Sequence, residues 1–334
     1  MNKITIQDIA KAANVSKSTV SRVLNGSASV NQDKRAAVLE ATERLGFKPN
    51  AMARSLASGK SMTLGVLTQL IGSPFFDAVA QGVIAGLTES DYSPLFMDGR
   101  LEYEYEVKAV KALLGRRVDG LVIIGGNLSS NDISELCEDV PTVIVAREFP
   151  VEEHHCVFMN NLDGGYSATK HLIELGHKDI AMIQGVEHNV EAVDRFKGYQ
   201  KALAESGIEM NEDLVIKGDF TGESGIQAIN ILCEREQKFS AVFAANDVTA
   251  YGARLALHRH GLRVPEDVSI VGFDDQAESA FVTPPLTTIR QPACEMGTMA
   301  VEGVLSILDG KPFESVKLNG KLSVRESTAQ FQSK

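Results

Sequence analysis

SKSTVSRVLN, residues 16–25, is the stretch that decides how the amino-terminal part of this chain folds. Ser16 favours a helix start because its hydroxyl can accept a hydrogen bond from an unpaired backbone N–H of the first turn. Val20, Val23 and Leu24 have helical spacing and predict one apolar face. The remaining side chains form a polar, cationic face, which comprises Lys17, Ser18, Thr19, Ser21, Arg22 and Asn25. Such a face can enter the major groove of DNA, although for ten residues alone a solvated surface helix is the simpler interpretation.

The flanking sequence predicts two more helices and so favours the DNA-binding interpretation. Upstream, Thr5 and Asp8 have the spacing of a capping box, and the apolar stripe of a first helix comprises Ile6, Ile9, Ala10 and Ala13. Downstream, Asn31 can cap a third helix that Gly46 can end, and its core residues are predicted to be Val38, Leu39, Thr42 and Leu45. The first two helices, joined by a tight turn, have the helix-turn-helix arrangement, in which the second helix reads DNA.

The stretch IQDIAKAANVSKSTVSRVLNG, residues 6–26, resembles the DNA-binding headpiece of the lactose/galactose-repressor (LacI/GalR) family. The resemblance continues through FKPNA at 47–51 and covers nearly the whole chain. Its further marks are ELGH at 174–177, VPEDVSIVGFDD at 264–275, PPLTTI at 284–289 and VREST at 324–328. It implies a ligand-controlled transcription factor with an all-α headpiece and an α/β body.

Length and composition agree with a multidomain cytoplasmic protein. A chain of 334 residues is too long for one compact core. No apolar run is long enough to span a bilayer, and the polar amino terminus does not resemble a secretory signal. The four cysteines are far apart and lack metal-ligand spacing, at Cys137, Cys156, Cys233 and Cys294. We therefore expect no membrane association, no cofactor and no metal.

The charge of the chain is unevenly distributed. Residues 1–60 contain ten Lys and Arg and four Asp and Glu, a net charge of +6, whereas the whole chain carries −11, which leaves −17 for the rest. A basic head on an acidic body is typical of a DNA-binding module attached to a regulatory domain.

The segment from Asn50 to Lys60 joins the headpiece, residues 1–49, to the body. Asn50 can cap a helix of about two turns that Gly59 can end, but so short a helix is marginal in water. A flexible linker is the alternative interpretation. The resemblance implies a hinge helix in each subunit that orders on DNA and inserts Leu56 as a wedge into the minor groove, which bends the duplex.

The resemblance also implies the DNA contacts of the headpiece. Base readout is expected from Lys17, Ser18 and Arg22. Phosphate contacts, which set register without reading sequence, are expected from Thr5, Ser16, Thr19, Ser21, Asn25 and Asn50.

From Thr63 onward, short apolar runs alternate with helical segments. The predicted strands are 63–70, 93–98, 118–125, 142–147, 155–160, 179–184, 240–245 and 268–273. The predicted helices lie near 75–90, 102–116, 129–138, 163–175, 191–206, 222–236 and 247–260. This alternation predicts doubly wound parallel sheets, and the number of strands favours two lobes. The resemblance implies a periplasmic-binding-protein-like body with crossings near Asn161, Gln291 and Leu322, so that 61–160 with 292–321 form one lobe and 161–291 with 322–330 the other.

Polar residues at the carboxyl ends of the predicted strands indicate a ligand site, because open α/β sheets bind ligands there. Carboxylates, amides, an arginine and nearby aromatic rings suit a polyhydroxylated ligand. With the resemblance, the expected contacts are Arg195, Asn246 and Asp274, then Ser73, Phe75, Phe220 and Gln291, and finally Arg147 and Met159. A structural interpretation stays open for several of them: Asn246 or Asp247 can be a helix cap. Arg147-Glu148 also departs from the acidic or Asp-Arg pair that is frequent in sugar-binding members, which leaves the effector open.

The preferred function is a repressor of carbohydrate-metabolism genes, controlled by a mono- or disaccharide between the lobes. Only six residues follow Thr328, without a leucine-heptad tail, so we expect a homodimer on a pseudo-palindromic operator. A purine or nucleoside effector, or a co-repressor, is the main alternative. An enzyme using Asp274 and Asp275 is less favoured, because adjacent loop residues rarely point at one reacting atom. A transport receptor is disfavoured by the attached headpiece.

Overall fold

The structure, a computed structural model, describes residues 4–24, 30–47, 60–150 and 153–332. The chain divides into two compact units between Met62 and Thr63. Three predicted DNA contacts and the predicted hinge helix lie outside the described residues; the contacts are Asn25, Asn50 and Leu56. In the part of the chain that the structure describes, no helix has the length and apolar character needed to cross a membrane.

The first unit contains the three predicted helices, α1 (Ile6–Ala12), α2 (Lys17–Leu24) and α3 (Gln32–Arg44). The predicted caps are present. The Asp8 carboxylate accepts hydrogen bonds from the backbone N (2.9 Å) and Oγ1 (2.7 Å) of Thr5. The Ser16 hydroxyl accepts one from the backbone N of Thr19 at 3.1 Å, and the Asn31 amide oxygen accepts one at the start of α3. The core comprises Ile9, Ala10, Val20, Val23, Val38 and Ala41.

One residue of α3 that was predicted to lie in the core is on the solvent-exposed face of the helix. Leu39 is 51% exposed, whereas Val38 and Ala41 are fully or almost fully buried. Because successive helical residues are rotated by about 100°, a face centred on Val38 and Ala41 turns Leu39 towards solvent. The prediction that Leu39 closes the headpiece core is therefore wrong, and Ala41 takes that place.

The first lobe of the second unit is built on a parallel sheet. Its strand order is β11-β5-β4-β3-β1-β2, with β1 (Thr63–Thr68), β2 (Ser93–Asp98), β3 (Gly120–Ile124), β4 (Thr142–Val145), β5 (His155–Met159) and β11 (Val316–Leu318). The helices of this lobe are α4 (Pro74–Gly86), α5 (Tyr103–Gly115), α6 (Ser130–Cys137) and α11 (Ala293–Leu308). The central strand β3 is buried along its whole length, as expected for a sheet covered on both faces.

The second lobe repeats this plan with one antiparallel edge strand. Its order is β12-β10-β9-β8-β6-β7, with β6 (Ile180–Ile183), β7 (Val215–Ile216), β8 (Ala241–Ala244), β9 (Ser269–Asp274), β10 (Thr287–Arg290) and β12 (Lys321–Ser323). The helices are α7 (Asn161–Glu174), α8 (Val190–Glu205), α9 (Gly222–Glu234) and α10 (Asp247–Arg259), with 3₁₀ turns at Glu212–Leu214 and Ala277–Ala280. The eight strands and seven helices predicted for the body are confirmed to within four residues at each end.

The chain passes between the two sheets three times: after β5, after β10 and between β11 and β12. The third crossing was predicted near Leu322, which lies in β12 opposite Ile289. β11 runs parallel to β5 and β12 antiparallel to β10, so the chain must cross within Asn319-Gly320. This places the start of β12 beside the end of β10, with Lys321 opposite Arg290.

Helices α9 and α10 approach each other closely through glycine. A Cβ on Gly252 would lie 1.8 Å from the carbonyl oxygen of Gly222. No side chain fits at that distance, so Gly252 allows α10 to lie against α9. This contact lies in the first half of α10, whose N-cap is the predicted site residue Asn246.

Candidate DNA-binding and effector sites

The face of α2 that sequence analysis assigned to DNA is on the surface of the first unit. Lys17, Ser18 and Arg22 are exposed, and Thr19 and Ser21 are half-buried. The Arg22 Nε donates to the Ser18 carbonyl oxygen at 3.2 Å, so its guanidinium group lies along its own helix. The face thus combines exposed cations with hydroxyl groups, the chemistry that contacts base edges and phosphates.

In the second lobe, Arg195 is buried inside the cleft-facing side of α8. Only 5% of the residue is exposed. Its Nε donates to the Asn161 Oδ1 at 3.0 Å, and its Nη1 donates to the Ala245 carbonyl oxygen at 2.6 Å. The guanidinium carbon lies 3.8 Å from the centre of the Phe273 ring. Three elements therefore fix the orientation of this side chain.

Asp274 lies at the end of β9, next to Arg195. The two side chains approach to 3.9 Å between Nη1 and Oδ1. The Gln291 Nε2 donates to the same carboxylate at 2.7 Å, and the Gln276 Nε2 donates to its other oxygen at 3.3 Å. Burial raises the pKa of Asp274, while the charge of Arg195 opposes that rise. The structure thus brings together Arg195, Asp274 and Gln291 from three separate predicted positions.

A second carboxylate, Asp247, lies behind Asp274 and is fully buried. It accepts hydrogen bonds from the Gln276 backbone N (2.9 Å), the Ser279 hydroxyl (2.6 Å) and the Thr288 hydroxyl (2.5 Å). Burial, and then the charge of Asp274, raise its pKa. Asp247 holds the loop after β9 and does not reach the cleft through these contacts, so it is a structural support of the site.

Asn246 and Phe220 are joined at the edge of the same group. The Asn246 Nδ2 donates to the Phe220 carbonyl oxygen at 3.0 Å, and its Oδ1 accepts from the Thr249 backbone N at 2.9 Å. The helix-cap interpretation of Asn246 is therefore confirmed. The Phe220 ring covers Gly185, whose Cβ would lie 2.3 Å from the ring, and the Arg195 guanidinium lies 5.7 Å from its centre.

The predicted residues of the first lobe have mainly local contacts. The Ser73 carbonyl oxygen accepts from the Asp77 backbone N at the start of α4. Phe75 packs edge-to-face on Phe76, with ring centres 5.4 Å apart. The Arg147 Nη1 donates to the Leu128 carbonyl oxygen at 2.7 Å, and its guanidinium lies over a neighbouring aromatic ring.

Met159 also has a packing role. It is 4% exposed, and its methyl group lies against Gly164 and Gly320. It therefore lines two of the crossings between lobes, and its predicted contact with an effector stays a prediction.

Glu191, which lies one helical turn before Arg195 on α8, was not among the residues predicted from the sequence. Burial raises the pKa of Glu191, whereas the charges of Arg195 and Arg147 lower it. The charge of one arginine from each lobe therefore acts on this carboxylate. The i, i+4 spacing of Glu191 and Arg195 was visible in the sequence, but the effect of Arg147 was not.

The described residues 4–24, 30–47, 60–150 and 153–332 contain no group of three or more His, Cys, Asp or Glu that could hold a metal ion. The cleft residues instead offer a guanidinium group, carboxylates, amides and aromatic rings. This set can make paired hydrogen bonds to hydroxyl or amide groups of an organic ligand, with aromatic faces against its apolar side.

Known proteins are similar to this chain in both of its units. Residues 5–50 match the family model of bacterial regulatory proteins of the lacI family, and residues 169–328 match that of a periplasmic binding protein-like domain. Catabolite control protein A of Priestia megaterium is 34% identical, over 97% of this chain and 99% of its own length. The chain belongs to the LacI family. The HTH-type transcriptional regulator AscG of Escherichia coli (strain K12) is 35% identical over 97% of this chain and 98% of its own length.

Solved structures of similar regulators show the same architecture. A complex of the transcriptional regulator CelR with cellobiose is 34% identical, covers 97% of this chain and 99% of its own, and has a TM-score of 0.73. A lac repressor dimer bound to operator and the anti-inducer ONPF is 29% identical, covers 98% and 100%, and has a TM-score of 0.89. These comparisons confirm the predicted family and fold class. AscG and CelR are transcriptional regulators by name.

Proposed function

We propose that this LacI-family protein is a cytoplasmic repressor of carbohydrate-metabolism genes. It binds a pseudo-palindromic operator as a homodimer and responds to a mono- or disaccharide bound between the lobes of its body. The observation that carries this proposal is the buried group of Arg195, Asp274 and Gln291, which lies at the carboxyl ends of the second-lobe strands in a chain that also has an exposed DNA-reading face.

The headpiece supports a division between base readout and phosphate contact. Lys17, Ser18 and Arg22 project from the exposed face of α2 and are proposed to read base edges. The hydroxyl groups near the helix start are proposed to hold phosphates, from Thr5, Ser16, Thr19 and Ser21. Asn25, Asn50 and the Leu56 wedge complete the proposed interface from outside the described residues.

The chemistry of the cleft supports a sugar. The positive charge of Arg195 favours the ionised form of Asp274. The Asp274 carboxylate then offers hydrogen-bond acceptors beside the donors of the Arg195 guanidinium group. Vicinal hydroxyl groups match such a pair, because each hydroxyl can donate to the carboxylate and accept from the guanidinium group. Phe220 and Phe75 are proposed to cover the apolar face of the ring, with Ser73, Asn246, Arg147 and Met159 around it.

A purine effector is the second candidate. The HTH-type transcriptional repressor PurR of Histophilus somni (strain 129Pt) is 34% identical over 97% of this chain. Aromatic rings at the cleft can stack on a purine as well as on a sugar. A binding experiment can distinguish the sugar from the purine, because a purine presents ring nitrogens instead of vicinal hydroxyl groups.

The test is a thermal-shift screen of the full chain against monosaccharides, disaccharides including cellobiose, and purines. A ligand that binds the folded state raises the melting temperature by mass action. We expect a sugar to raise it for the wild type and for the surface control E187Q, but not for D274A. A shift with purines alone would replace the sugar by the second candidate, and a shift retained in D274A would remove Asp274 from the site.

A further inference from the structure

The corner at the end of β9, formed by Asp274 and Asp275, has an unusual backbone conformation. Asp274 has φ 123° and the next residue, Asp275, has φ 58°. Residues other than glycine seldom adopt positive φ, and two in succession persist only where the surrounding structure over-determines them. Asp274 is the carboxylate proposed to contact the effector, so the groups that hold this corner also set the position of the contact.

Asp275 is the anchor of this corner. Its side chain is 3% exposed and pairs with the Arg290 Nε at 2.6 Å and the Arg325 Nη2 at 2.5 Å. The Ser323 hydroxyl donates to the same carboxylate at 3.1 Å. Burial alone would raise the pKa of Asp275, but the hydrogen bonds from the two arginines hold it below its usual value. The carboxylate is therefore ionised and fully engaged.

The partners of Asp275 belong to the strands that leave the second lobe. Arg290 is the last residue of β10, directly before a crossing, and Ser323 ends β12, directly after another. Arg325 is itself fixed, since its Nη1 donates to the Leu286 carbonyl oxygen at 2.7 Å. One carboxylate thus joins β9 to β10 and β12.

The two neighbouring carboxylates contact different sets of residues. Asp274 contacts Arg195 and Gln291 on the ligand side, whereas Asp275 contacts only the groups on β10, β12 and the segment after it through the bonds described above. We propose that Asp275 is a positioning residue, which fixes the strained corner through Arg290, Ser323 and Arg325 so that Asp274 faces Arg195 and Gln291. Only the ligand-binding part of the test below depends on the proposed function.

The first test needs no ligand. Hydrogen–deuterium exchange of the full chain is compared between wild type and D275N, because asparagine keeps the size and tolerates positive φ but loses the charge. The backbone N of Gln276 donates to Asp247, and that of Gln291 to the Asp274 carbonyl oxygen at 3.2 Å. We expect peptides over these two amides to exchange at least tenfold faster in D275N. Exchange within twofold of wild type would overturn the proposal.

A milder variant keeps the test decisive if D275N does not fold. The side chain of Arg290 is 62% exposed, so R290M removes one partner of Asp275 while leaving little buried space unfilled. We expect exchange at the same amides to increase about threefold. The matched control is E187Q, which removes one partner of the exposed pair between Glu187 and Lys217, and it should leave these amides unchanged. Unchanged exchange in R290M would contradict the proposed anchor.

The second readout is the affinity for cellobiose, or for the best sugar of the thermal-shift screen, measured by calorimetry well below the melting temperature. A positioning role lowers the affinity of folded D275N at least tenfold. A merely structural role lowers the melting temperature and leaves that affinity unchanged, which would overturn the proposal. If wild type binds no sugar, the sugar effector fails, and the exchange experiment alone decides the role of Asp275.

Discussion

Replacement of Arg195 by methionine tests the buried centre of the site. Methionine keeps most of the apolar stem and removes the guanidinium group. The variant leaves two buried acceptors without their donor, the Asn161 side-chain oxygen and the Ala245 carbonyl oxygen. It also removes the cation next to Asp274. All of these groups lie in a region where water cannot easily replace the lost donor.

The expected loss of unfolding free energy is about 3 kcal/mol. Removing one partner of a buried charge pair costs about 3–5 kcal/mol, and a single orphaned buried acceptor costs about 1–3 kcal/mol. The lower end applies because Asp274 keeps Gln291 and Gln276 as donors and can take up a proton. The apolar replacement also avoids the cost of burying the guanidinium charge, since burial lowers the pKa of Arg195.

Urea unfolding of the full chain, followed by circular dichroism, measures this loss. The matched control is K217M, which removes an exposed cation from its pair with Glu187 and should leave the unfolding midpoint unchanged. The double variant R195M/D274N should lose less than the sum of the single losses, because the uncompensated carboxylate is then absent. A loss below about 1 kcal/mol for R195M would refute the assignment of Arg195 as the buried cation that donates to the Asn161 and Ala245 oxygens.

Three further predictions concern packing, protonation and DNA. G252A should destabilise the body by about 2–3 kcal/mol through overpacking against α9, whereas G115A, whose Cβ would meet open space, should be neutral in the same urea experiment. Burial lowers the pKa of His177 from 6.5, so the unfolded state binds more protons and stability should fall as the pH decreases below 6.5; H177Q should flatten that dependence, and an unchanged slope would contradict it. In anisotropy titrations, R22A should relax the preference among operator variants, whereas T19A should weaken all variants alike; an equal loss across variants for R22A would overturn this division.

The helices and strands were predictable because the sequence patterns that indicate them are local. The strands of the body are short apolar runs, and the helix starts have side-chain caps such as Ser16 and Asn31, which the structure confirms. Helix α11 and the short strands β7, β10, β11 and β12 were not predicted, since two to four residues show no periodicity and α11 is apolar on most of its surface. Leu39 was assigned to the wrong face because two adjacent apolar residues leave the phase of a helix ambiguous.

The site was predictable only in part, because it depends on contacts between residues that are far apart in the sequence. Arg195, Asp274 and Gln291 could be selected from strand ends and family motifs, and the structure places them together. The pKa of Glu191 is lowered by the charge of Arg147, which is far away in sequence and on the other lobe. The role of Asp275 depends on Arg325, fifty residues later. No local pattern contains either relation.

The most direct measurement is operator affinity of the full chain with and without its effector. The operator is first selected from random DNA by the wild-type protein, and the effector is the compound that raises the melting temperature most. Typical allosteric coupling of about 1–3 kcal/mol predicts that saturating effector changes the dissociation constant roughly 5- to 150-fold, and that D274A abolishes the change. An operator affinity that stays within about twofold at saturation, for every compound that binds, would contradict the account.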